Sequence, residues 1–204
     1  GSVLHIFNIP ERDTTIFNYQ QRGSLIAHGA LIENINIAAP TFGYNPRINL
    51  FPEPKNLSLV ARVTFERTNP QKDPLYDFIK KRTTNRKPYK NKPLDPSHLH
   101  FLLQAVNEIG EGKIRFIEDR KLINDLARVL TLNDRLVIEN LAMHQSLFPH
   151  ILWNEEENNR KVLGLYVKTL ELPPPAQILF HVLRSWPIAK IAAALSFPKV
   201  IAKQ

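Results

Sequence analysis

The residues best suited to chemistry lie together in Lys80 to Tyr89, KKRTTNRKPY. Arg82, Thr83, Thr84, Arg86 and Lys87 are gathered where an amphipathic helix gives way to a loop. Guanidinium groups offer paired donors in a rigid fork, and threonine adds neutral donors, so the set suits a dianionic phosphate. The same run also reads as a solvated basic turn, because basic patches are common on chains of positive net charge.

Other candidates carry less. His28 and Glu33 share one helix, yet nothing else supplies a site geometry around them, so both read as interface or capped core residues. His98 and His100 sit two apart, diverge on a helix and cannot easily share a metal. Trp153 and Trp186 read as core anchors. The chain has no cysteine, which excludes a disulfide, a thiolate nucleophile and a Cys metal site. The formal charge of +8 favours anionic ligands such as nucleotides, phosphates, nucleic acid or an acidic surface.

The elements that must position the basic turn come next. With 204 residues, 43% of them hydrophobic, the chain can bury a sizeable core as one large or two small domains. Val3 to Ile9 alternates as a strand. Arg22-Gly23-Ser24 opens a helix with Ser24 as its cap, and SLIAHGALIENINIAA is apolar on several sides, which predicts a buried helix ended by Pro40 and Gly43. Arg47 to Phe51 and Ser58 to Glu66 are strands, the second with Leu59, Ala61, Val63 and Phe65 on one face. Arg67 to Asp73 is a linker, which sets domains of 1–70 and 71–204.

Beyond the linker, Asp73-Pro74 starts a short helix that leads into the basic turn. Asp95-Pro96 starts another, with Leu99, Leu102, Leu103 and Val106 as a core stripe. Lys113 to Glu118 (KIRFIE) reads as a strand. Asp119 caps a long helix with Leu122, Ile123, Leu126, Val129 and Leu130 on one face. Pro173 to Pro175 is a rigid spacer. Ala176 to Phe197 is apolar, but His181, Arg184, Lys190 and Pro187 argue against a membrane span and for a surface-packed helix pair kinked at Pro187.

Leu75 to Tyr89 (LYDFIKKRTTNRKPY) resembles the opening of a nitroreductase-type FMN domain. That family begins with a helix, an Arg-x-Ser/Thr-x-Arg/Lys run and then an aromatic; Arg82, Thr84 and Arg86 match the run and Tyr89 the aromatic. The helix, Phe42-Gly43 turn and strands before Arg67 resemble the second half of such a domain, and the elements after Pro74 resemble a first half. The order is that of the tandem-repeat Acg-type branch, whose two degenerate repeats form a pseudo-dimer, seen here as an internal fragment. Asn107 to Lys113 departs from the family's pattern.

The resemblance implies an α+β fold, a mixed sheet packed between helices and drawn from two incomplete repeats. It implies FMN as cofactor, NAD(P)H as reductant and a nitroaromatic, quinone or similar small molecule as electron acceptor. Arg82 and Arg86 would neutralise the flavin phosphate, with Thr84 and the Thr83 backbone N–H completing the cradle. No catalytic residue and no metal ligand is assigned. The expected setting is cytoplasmic, without nucleic acid or membrane as partner, the pseudo-dimer lying within the full chain or forming between chains. Two other readings stay open: an FMN-sequestering protein without turnover, and a basic nucleic-acid-binding protein argued from charge. The last ranks lowest, since the aromatics are not interleaved with the basic residues as a stacking surface needs.

Overall fold

The computed structural model describes residues 2–87, 89–90, 92–110, 112–161 and 164–195. The fold is α+β, and the chain divides into two compact units between Asn85 and Arg86.

The first unit is built on a three-stranded antiparallel sheet of order β1-β3-β2, with β1 at Val3–Phe7, β2 at Tyr44–Leu50 and β3 at Leu59–Arg67. Leu4 lies opposite Val63 on one side of β3 and Ile48 opposite Val63 on the other. The central place of β3 follows from its side chains: Leu59, Ala61 and Val63 are buried as the alternation predicts, and Val60 from the opposite face is buried too. Ile6, Ile32, Val60, Ala61 and Val63 form the core, flanked by Ile35, Ile48 and Phe65.

Helix α1, Arg22–Ala38, reaches that core through Ile32 and Ile35. The helix expected to be buried is largely exposed: Leu25, Ile26 and Leu31 face outward, Ile26 at 75%. One small sheet can cover only one stripe of a helix, so apolarity on the other sides finds no cover within the unit. Ser24 is not the cap either. Buried Asn18 takes that role from outside the helix, its Oδ1 accepting the Ser24 N–H at 3.1 Å and its Nδ2 donating to Ser24 Oγ at 2.8 Å.

A 3-10 turn at Ala39–Phe42 follows, closed by Gly43 at φ 75°. A Cβ on Gly43 would lie 3.0 Å from the Thr68 carbonyl oxygen, and the Thr68 N–H donates to the Gly43 carbonyl at 2.9 Å. The proline-rich linker is thus fastened to the first unit. The Gln71 N–H donates to the Pro40 carbonyl at 2.9 Å, and the Tyr76 ring meets Phe42 edge-on at 5.9 Å. The 67–74 segment therefore lies within the first compact unit, which ends at Asn85: its prolines stiffen it without freeing it. Helix α2 is a single turn, Tyr76–Ile79, begun when Asp73 Oδ1 accepts the Leu75 N–H at 2.7 Å.

The second unit is helical apart from one short pairing. Asp95 caps α3, Pro96–Ile109, by accepting the Ser97 N–H at 2.8 Å, and Asp119 caps α4, Arg120–Glu139, by accepting the Leu122 N–H at 2.7 Å. Between them KIRFIE forms no strand. Ile114 and Phe116 are half-buried and their neighbours exposed, so the alternation is real, but no ladder partner meets it among the described residues. The predicted stripes of α3 and α4 are also largely uncovered: Leu102 and Leu103 are exposed, as are Val129 and Leu130, at 65% each. Only Val137 and Ile138, at the end of α4, are buried.

Asn140 ends α4 and caps α5, Leu141–Leu147. A 3-10 turn, Phe148–His150, leads to β4, Ile151–Leu152, which pairs in parallel with β5, Leu165–Tyr166. Helix α6, Glu155–Arg160, lies between the two strands in sequence, capped by Asn154. Gly164, at φ 139°, permits the pairing: a Cβ there would fall 2.6 Å from Leu152 Cδ2. The three prolines are a helix start instead of a spacer, since a proline in the first turn loses no hydrogen bond. Pro173 holds the cap position of α7, Pro174–Val182. Helix α8, Trp186–Ala194, has Pro187 in its first turn, so the expected kink is a break over Leu183, Arg184 and Ser185. Ser196 and Phe197, the end of the predicted apolar stretch, lie outside the described residues. No helix among the described residues is long and apolar enough to cross a membrane.

Ile138, Phe148, Leu183 and Ala189 form the second core, with Trp153 and Trp186 packed against it as anchors. His144 is buried beside them, its ring stacked on Phe148 at 4.2 Å and its Nε2 held 2.8 Å from the Leu183 carbonyl oxygen.

Replacing Gly43 by alanine is expected to lower the stability of the first unit by about 1–2 kcal/mol, the cost of a Cβ in left-handed backbone. Urea denaturation followed by far-UV circular dichroism measures it, and an unchanged midpoint would show that the turn accepts a side chain.

Candidate functional site

The basic turn follows a groove of the first unit. Ile35 and Ala38 of α1, Phe42 of the turn, and Tyr76 and Ile79 of α2 give it apolar and aromatic walls, and it encloses about 770 Å³. Asn34, Asp77, Lys80 and Lys81 supply its polar lining. That volume is within the range of small-molecule sites.

The walls are held by local contacts. Lys72 donates to Asp77 Oδ2 at 2.6 Å, and the same ammonium lies 5.9 Å from the centre of the Tyr76 ring. The hydrogen bond from Lys72 is the main reason the Asp77 carboxyl titrates below its ordinary range, and the Lys72 and Lys81 charges add to it. Lys81 leans on the Phe78 ring at 5.7 Å.

Where α2 ends, the Lys81 and Arg82 N–H groups both donate to the Phe78 carbonyl, at 3.1 and 2.9 Å. Arg82, Thr83 and Thr84 follow as consecutive exposed residues outside any helix or strand. No side chain of the three bonds to a described residue, so a guanidinium and two hydroxyls keep their donors. Arg86 belongs to the second unit and is engaged there. Its Nη1 donates to the Thr169 carbonyl at 3.1 Å and its backbone N–H to Glu171 Oε2 at 3.0 Å, while Lys87 Nζ approaches the same carboxylate at 3.6 Å. Tyr89 is exposed. Arg82, Thr83 and Thr84 therefore sit together on one segment, whereas Arg86 already has acceptors.

The remaining candidates have structural duties or none. His28 brackets two backbone carbonyls, Nδ1 to Ser24 O at 2.6 Å and Nε2 to Phe7 O at 3.2 Å, so it ties α1 to β1. Glu33, His98 and His100 are exposed. Among the described residues no group of three His, Asp or Glu is gathered for a metal. Sequence reasoning missed the groove itself. Its lysines adjoin the basic run, but pairing Phe42 with Tyr76 needed the Gly43–Thr68 tie, which leaves no local mark.

No protein-family model matches the chain, and no curated protein matches it.

Because the folded-state Asp77 value is depressed, its pairing contributes stability at pH above the ordinary Asp value, and that contribution is lost as pH falls through the depressed value. Lys72→Ala is expected to move the Asp77 titration midpoint upward toward that of a free aspartate. Carboxyl-carbon NMR over an acid titration reads this, and an unmoved midpoint would remove the pairing from the account of α2.

Proposed function

We propose that the chain is part of an FMN-dependent oxidoreductase of the nitroreductase type, moving electrons from NAD(P)H to a nitroaromatic, quinone or similar acceptor. The observation that carries this reading is the α1–α2 groove, which ends at Lys80 and Lys81 and is followed at once by the unengaged donors of Arg82, Thr83 and Thr84. Its apolar and aromatic walls suit a planar ring system. The cations and hydroxyls that follow suit a dianionic phosphate, to which Arg offers two parallel bonds. The residues present thus fit the cofactor's two ends.

FMN supplies the electron transfer when bound; the protein's part is to hold and orient it. Arg82 takes the phosphate in this proposal, with Thr83 and Thr84 as neutral donors. The tandem arrangement, in which 1–70 closes one repeat and 71–204 opens the next, and the cytoplasmic setting belong to the same proposal.

The test is an absorbance spectrum of the purified protein with FMN, before and after NADPH. A bound flavin band that bleaches supports the reading. A bound band that stays oxidised leaves a carrier and removes the reductase. Arg82→Ala is expected to weaken FMN binding by about 1.5–3 kcal/mol, the range for hydrogen bonds to charged groups. Equal affinity in the variant and the wild type would take the phosphate away from this turn.

A further inference from the structure

The second unit contains an aromatic pocket of about 340 Å³ that the flavin reading does not use. Phe148, Trp153 and Trp186 form its walls, and His144, Gln145 and Arg184 join them in the lining. Arg184 lies in the break between α7 and α8, directly after buried Leu183. The bond between His144 Nε2 and the Leu183 carbonyl, 2.8 Å, fixes the backbone that presents it.

Arg184 is exposed, forms no ion pair with a described carboxylate, and has its guanidinium carbon 5.8 Å from the centre of the Trp153 ring. The Gln145 amide and both indole N–H groups also lack a described partner. Glu157 lies outside the lining and spends Oε2 on the Trp153 backbone N–H at 2.8 Å. The lining therefore holds one cation, several uncommitted donors, three large rings and no carboxylate.

We propose that this pocket binds a small aromatic carboxylate. The ring would lie against Phe148, Trp153 and Trp186, where aromatic contacts favour a planar partner. The carboxylate would face Arg184, whose fork matches both of its oxygens, with Gln145 as a second donor. The proposal rests on residues of the second unit alone and stands apart from the flavin assignment.

The chain has two tryptophans, and both line the pocket, so the two indole N–H resonances report on it without background. The full chain is titrated with naphthoate, and with naphthamide as its neutral match, in proton–nitrogen correlation NMR. Both indole resonances are expected to move saturably with naphthoate, and the amide to bind about tenfold or more weakly, as the loss of a charge-assisted bond predicts. Arg184→Gln is expected to abolish the preference for the acid, and Arg184→Lys to retain part of it. Static indole resonances up to millimolar naphthoate would overturn the proposal. So would equal binding of acid and amide, or an Arg184→Gln protein that still prefers the acid.

Discussion

Pairing on both edges of β3 is the constraint from which the first unit follows. Pairing on both edges satisfies the backbone of β3, and the burial of Leu59, Val60, Ala61 and Val63 makes the same strand the centre of the core. The stripe of α1 that is buried is the one that carries Ile32 and Ile35 into this core. The Gly43 turn returns the chain from α1 into β2, and the Thr68 bond to Gly43 brings the linker back to the same corner. The α1–α2 groove is the space left between these ties.

Local chemistry was legible in the sequence, and cover was not. Asp95 and Asp119 cap the helices expected of them, and β3 runs almost where its alternation placed it. Each is decided within a few residues. Ser24 failed because α1 begins two residues earlier, at Arg22, and the Ser24 N–H is itself one that needs an acceptor, which buried Asn18, six positions upstream, supplies. KIRFIE failed because alternation describes a face and says nothing of whether a partner edge exists. The leucines of α3 and α4 have the spacing of a core stripe, and only tertiary contact could decide whether anything lies against them.

The basic turn divides by engagement more than by residue type. Arg82 and Arg86 look equivalent in the sequence, but the Arg86 guanidinium donates to the Thr169 carbonyl and its backbone N–H to the Glu171 carboxylate. A guanidinium that already gives an N–H to a carbonyl has fewer donors left for a phosphate; one without such a bond keeps all five. The same distinction separates Arg184, left over a tryptophan ring, from Arg135, which is committed to Glu139 at 3.0 Å.

Asn140 belongs to two helices at once. Its backbone N–H donates back to Leu136 in α4, while its carbonyl accepts from His144 and its side chain from Met143 in α5. The corner therefore has no slack. One extra residue between Asn140 and His144 would turn the imidazole by about 100° around the helix axis, away from the Leu183 carbonyl and out from between Phe148 and Trp186. Change in chain length at this corner is a change of core composition, whereas the same insertion in the loop before Asp119 would alter only the length of a connection.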